Sequence, residues 1–171
     1  GTYTIRANTI TDRQGNTITL NYVPVTKPAN CSTGEGTIYR QLDTAVDTLG
    51  REVKFVYDST GWLNLIRDHT GREVHIEHDL HGNITAITTP QVTDFPPASS
   101  VTPYASRTEF EYQPLNPAYP DSKHNIVRIF APREVAAGGS AKVPYVENTW
   151  DPTCQAVLSQ VIGGTNDSTV P

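Results

Sequence analysis

Three histidines, His75, His78 and His81, fall among Glu73, Glu77 and Asp79 and form the densest group of potential metal ligands in the chain. Side chains two residues apart on a strand share a face, so His75 would stand beside Glu73 and Glu77, and a closed metal site would need further ligands from a second strand. A solvated polar face leading into a turn accounts for the same residues. Glu109 and Glu111 also alternate on one strand face, and paired carboxylates are what glycoside hydrolysis uses. Same-face acids are equally the mark of an exposed strand. Ser, His and Asp occur without a G-x-S-x-G elbow, and Gly138-Gly139-Ser140 and Gly163-Gly164-Thr165 lack the following Lys and the helix that a phosphate loop needs. The expectation is a chain with no catalytic residues, no cofactor and no metal. Tyr57, Trp62, Phe110, Tyr112, Tyr145 and Trp150 could stack on sugars or bases, although aromatics in strands more often pack against cross-strand neighbours. Trp62 and Tyr112 are the aromatics an alternative, binding role would use.

The elements that must carry these residues announce themselves as a repeat. Asp47-x-x-Gly50, Asp58-x-x-Gly61, Asp68-x-x-Gly71 and Asp79-x-x-Gly82 follow at intervals of 11, 10 and 11 residues, so alternate copies stand 21 apart. A search for such periods comes first, because a missed repeat misassigns the whole fold. The spacing is turn chemistry: an Asp carboxylate accepts from backbone N–H groups two residues on, and a Gly three residues later takes a positive φ without steric cost. Between turns the character alternates, with Val53, Phe55 and Tyr57 against Glu52 and Lys54, and Val74 and Ile76 against Glu73, His75 and Glu77. That is the pattern of half-buried strands joined by tight turns. Fainter copies lie at Asp12-Arg-Gln-Gly15 and Trp150-Asp151-Pro-Thr-Cys154. The strongest repeats span 47–90, with degenerate ones over 1–23 and 105–162, and the whole of 1–171 reads as one segment. Segments 24–36, 90–104 and 114–123 read as longer connections. Glu134 to Lys142 is broken as a helix by a Gly pair that costs roughly 1 kcal/mol per residue. The expected fold is therefore all-β, an antiparallel β-hairpin array in the form of a twisted ribbon, with no substantial helix.

Composition agrees. Hydrophobic residues make up 36% and charged residues 18%, with 13 Pro and 12 Gly, which implies many short elements and many turns. The thirteen Lys and Arg are scattered singly in a chain of net charge -5, so nucleic acid is not expected as a partner. No apolar run approaches the roughly 18 residues of a membrane span. The N-terminus lacks the regions of a signal peptide, which suggests numbering that starts after processing or within a longer chain. Cys31 and Cys154 permit one disulfide closing a long loop. Asn30, Asn83 and Asn166 head formal glycosylation tripeptides of a kind that recur by chance.

At the repeat the sequence resembles the YD-repeat family of Rhs proteins, Tc toxin C components and teneurins. Tyr57-Asp58-Ser59-Thr60-Gly61-Trp62-Leu63 is similar to a complete YD unit, and Asp79-Leu-His-Gly82-Asn83-Ile84-Thr85-Ala86-Ile87-Thr88 is similar to the family's run of Asp, Gly-Asn and alternating apolar residues. The resemblance implies a spiralling β-ribbon that builds a hollow shell, secreted or on the cell surface, which can enclose a toxic polypeptide. It departs from the family at His78, which stands where Tyr would precede Asp79, and in lacking the aspartyl self-cleavage signature, so autoproteolysis is not expected. The function expected is structural and not enzymatic: part of an extracellular β-shell, or a self-assembling surface structure such as a filament. Its partners would be copies of itself, the remainder of a larger Rhs-type chain, or an enclosed toxin polypeptide. The alternative is a glycan- or protein-binding adhesin module.

Overall fold

A computed structural model describes residues 6–26, 38–92, 104–132, 135, 142–153 and 156–163. Cys31 and Cys154, and with them the disulfide that they permit, lie outside the described residues, as do Asn30 and Asn166. The chain is all-β, an array of antiparallel hairpins, and among the described residues no helix reaches seven residues. Eleven strands follow in order: β1 (Thr9–Thr11), β2 (Thr17–Thr26), β3 (Ile38–Val46), β4 (Glu52–Tyr57), β5 (Leu63–Arg67), β6 (Glu73–His78), β7 (Ile84–Val92), β8 (Tyr104–Tyr112), β9 (Ile126–Phe130), β10 (Val146–Trp150) and β11 (Val157–Ile162). A 3-10 helix, Pro120–His124, lies between β8 and β9. Two compact units divide the chain, Gly1–Val74 and His75–Pro171.

In the N-terminal unit β1 pairs β2, β2 pairs β3, β3 pairs β4 and β4 pairs β5, each antiparallel. The register separates two kinds of cross-strand row, since residues directly opposite share a face. Leu20, Ala45 and Val53 form one row, and Phe55 faces Ile66. Asn21, Thr44, Lys54 and Arg67 form a polar row on the opposite face.

In the C-terminal unit β6 pairs β7 and each later strand pairs the next, through β11. One face carries the row Glu77, Ala86, Glu109, Phe130. The other carries Phe110, Ile129, Val146 and Ile162 in line. Among the described residues the buried hydrophobic side chains are Ala86, fully inaccessible, and Phe130, 4% exposed. Lys142 lies over Phe130, its Nζ 4.0 Å from the ring centre, and pairs with Glu109. The ammonium thus covers the apolar ring while its charge is matched.

Two of the stretches expected as connections contribute to strands. β2 runs through Pro24, which stands opposite Arg40. Proline has no N–H to donate, and it is tolerated where one side of a strand is open; among the described residues β1 pairs only Thr17–Thr19 of β2, and none pairs with position 24 on that side. β7 runs through Pro90, where the register with β8 is interrupted between Thr88 and Gln91. Among the described residues each proline therefore sits where no ladder partner calls for its N–H.

Candidate functional site

The chemistry-bearing residues of the repeat are spent on the backbone. At Asp47 the carboxylate Oδ1 accepts from the N–H of Leu49 and of Arg51, both at 2.9 Å. The Asp47 N–H donates to Arg51 O at 3.1 Å and the Gly50 N–H to Asp47 O at 2.9 Å. This is a three-residue hairpin loop whose last position needs a left-handed residue, and Gly50 takes φ 76 there. The same bonds recur from Asp12, Asp58, Asp68 and Asp79, with Gly15, Gly61, Gly71 and Gly82 all at positive φ. The carboxylates read in the sequence as turn caps are therefore engaged as acceptors, and they are held in the ionised form.

Electrostatics follow from these bonds. The Thr70 hydroxyl, then Arg72, hold Asp68 well below the usual carboxylate range. The Arg51 N–H and then its guanidinium do the same for Asp47. Burial pushes the Asp58 carboxyl up, but the Thr60 hydroxyl and the Trp62 and Thr60 amides outweigh it, and the group stays below its ordinary value. Asp79 balances burial against Asn83 in the same way and is also lowered. Charge-assisted bonds to backbone N–H groups favour the anion, which is the physical origin of each net shift.

The residue after each Gly sorts the turns into two kinds. Arg51 and Arg72 reach back to Oδ2 of Asp47 and Asp68, each at 2.6 Å, and remain exposed. Trp62 and Asn83 are tucked in instead, and the strands that follow them carry a register irregularity close to the turn. Asn83 is 7% exposed. Its Nδ2 donates to Asp79 Oδ2 at 2.8 Å and to Lys123 O at 2.9 Å, and its Oδ1 lies 2.5 Å from His124 Nδ1. A carboxamide so committed is closed to glycosylation, whatever the tripeptide suggests. The sequence marks Asn83 as part of a repeat and of a glycosylation tripeptide, not as the hub of a buried network; its partner His124 is 41 residues away.

A second device was not visible in the sequence. Tyr57, the last residue of β4, donates its hydroxyl to Leu42 O in β3 at 2.9 Å. Tyr112 ends β8 and donates to Ile84 O in β7 at 2.9 Å, and Trp150 ends β10 and donates Nε1 to Ile126 O in β9 at 2.9 Å. Each acceptor immediately precedes the residue skipped by the register: Asp43, Thr85 and Val127. A bulge disrupts the ladder and leaves backbone polar groups without strand partners, and the aromatic of the next strand supplies the missing donor. The aromatic before the turn is thus a latch onto the preceding hairpin. Burial, with the charge of Asp79, pushes the Tyr112 hydroxyl above its ordinary value, so it is present as the donor at neutral pH. Tyr112→Phe is expected to lower stability by about 1–2 kcal/mol by orphaning Ile84 O. The urea midpoint measures this; Tyr22→Phe, whose hydroxyl meets Ala7 O at an exposed position, should change it by less than about 0.5 kcal/mol. Equal effects would mean that the latch carries no weight.

Glu109 accepts from Arg107 Nε at 2.8 Å and pairs with Lys142, while Glu111 meets Arg128 at 3.2 Å. Arg107 also grips Glu77 through Nη1 and Nη2, and Arg128 reaches Glu147 at 2.8 Å. Arg107 lowers both Glu77 and Glu109. Glu109 and Glu111 are thus members of an ionic ladder with Arg107, Arg128 and Lys142. Among the described residues no three His, Cys, Asp or Glu side chains converge to hold a metal. Trp62 belongs to the N-terminal unit and Tyr112 to the C-terminal one, each half-buried beside its turn. Near Asp151 the carboxylate again accepts from the N–H two residues on, Thr153, at 2.7 Å, but the Asp151 N–H reaches Ala156 O, one residue further than in the other turns. Among the described residues no helix is long and apolar enough to cross a membrane.

The geometry defines an all-β repeat of aspartate-capped hairpins, with three aromatic latches onto a preceding strand. Compared with known proteins, the chain matches no family model and no curated protein at a significant level of similarity.

Proposed function

We propose that this chain is a structural, non-catalytic segment of a YD-repeat wall, secreted or displayed at a cell surface, that pairs edge to edge with copies of itself or with the remainder of a larger Rhs-type chain. In such a wall an enclosed toxin polypeptide would be the cargo. The observation that carries this reading is the five-fold recurrence of one turn whose aspartates are consumed in capping backbone amides. Each of these carboxylates accepts two backbone N–H bonds within its own turn, as a structural cap does. Unsatisfied strand edges seek partners, so the isolated chain is expected to show concentration-dependent association by sedimentation velocity. A monomer over a wide concentration range would overturn the self-assembling form.

A second reading, a glycan-binding adhesin, draws on one hollow of about 590 Å³ in the N-terminal unit, lined by Arg6, Asn8, Asn21, Tyr22 and Arg40 among others. Guanidinium and carboxamide groups suit acidic sugars. A glycan array tests it, with Arg40→Ala as the variant expected to lose binding.

A further inference from the structure

β11 is the least protected strand among the described residues. All six of its residues are exposed, with Val157, Leu158, Val161 and Ile162 between 47% and 64% accessible. It contains no charge and no proline, the two devices by which edge strands are usually blunted. β1, which likewise pairs with one strand only, is three residues long and leads straight into Asp12. The outward side of β11 can be read from its pairing: the Gly163 N–H donates to Tyr145 O in the direction of β10, so by strand alternation the backbone groups of Gln160 and Ile162 face away from β10.

β11 also repeats the irregularity that the latches serve. Its register with β10 passes from Trp150↔Val157 to Thr149↔Ser159 and skips Leu158. Val157 therefore stands where Leu42, Ile84 and Ile126 stand in β3, β7 and β9. Those three carbonyls take a hydrogen bond from the Tyr or Trp that ends the next strand. No side-chain donor reaches the Val157 carbonyl among the described residues.

We infer that the outer edge of β11 is a docking site for a separate antiparallel β-strand that ends in Tyr or Trp, as the first strand of another hairpin of this kind does, with the aromatic donor closing on the Val157 carbonyl. The occupant is not the edge strand of a second copy, because β1 ends in Thr11 before Asp12 and offers no aromatic donor. This rests on the structural reading above and narrows it: pairing between copies through β11 is a weaker substitute that the matching strand displaces.

The probe is a synthetic peptide with the sequence of residues 52–67, which contains Tyr57 and its turn, and a second peptide with phenylalanine in place of that tyrosine, each titrated into the full chain. The tyrosine peptide is expected to bind saturably, to slow amide exchange at Gln160 and Ile162, and to bind at least tenfold more tightly than the phenylalanine peptide. Val161→Lys in the full chain should weaken binding at least tenfold, while Ile10→Lys on β1 should not. Absence of binding, equal affinity of the two peptides, or protection elsewhere than β11 overturns the inference. These outcomes are separate from the sedimentation result: a chain that binds the tyrosine peptide yet remains monomeric alone supports the docking site and removes the self-assembling form, and the reverse result removes the docking site only.

Discussion

Asn83→Ala is expected to destabilise the C-terminal unit by about 2–4 kcal/mol, because it strips a donor from Asp79 and from the Lys123 carbonyl at a position that is 7% exposed. The chain contains its own control. Asn16 stands at the same place in the first turn and donates to Asp12 Oδ2 at 2.7 Å, but in an exposed setting. Water can replace the lost partner there, so Asn16→Ala should cost less than about 1 kcal/mol. The measurement is a urea titration followed by Trp150 fluorescence in a Trp62→Phe background for Asn83, and by far-ultraviolet circular dichroism for both. Similar costs at the two positions would show that the Asn83 network adds nothing beyond the turn itself.

Acid is the second strong lever. Asp12, Asp47, Asp58, Asp68 and Asp79, with Glu77 and Glu109, all have their ionised forms favoured in the folded chain. A group whose folded value lies below its unfolded one binds its proton more readily when unfolded, so stability falls as protons are added. The contribution is fully present above the unfolded values of 3.8 for Asp and 4.5 for Glu, and is lost as pH falls from there through the lower folded values. The expected result is a urea midpoint that is flat between pH 7 and about 5 and drops steeply below about 4. Asp68→Asn should flatten that drop while keeping an oxygen acceptor in the turn. A midpoint unchanged down to pH 2.5 would contradict the capping role of the carboxylates.

The stretch 47–90 was legible because its information is local. Asp and Gly at fixed offsets specify a three-residue loop, and alternation over six residues specifies which side faces inward. Both signals survive in one dimension. The latches do not, because the role of Tyr57 depends on a bulge at Asp43 that exists only once β2 and β3 are in register. The same holds for Glu109 and Glu111, whose ionic partners Lys142 and Arg128 come from other parts of the chain. The stretch between β8 and β9 has the composition of a plain connection; Pro120–His124 turns there as a 3-10 helix and delivers His124 and the Lys123 carbonyl to Asn83. Pro24 and Pro90 misled by composition, since a proline weakens a strand only where a neighbour needs its N–H.

Arg107 has a consequence for how the molecule comes apart. From β8 it crosses over β7 to hold Glu77 in β6, so it ties together two strands that are not each other's ladder partners. β8 cannot peel from β7 without also giving up its grip on Glu77, so fraying of β8 costs one ion pair more than its ladder bonds alone, a modest addition for a partly exposed pair. Arg107→Ala should therefore make limited proteolysis of β8 slightly faster.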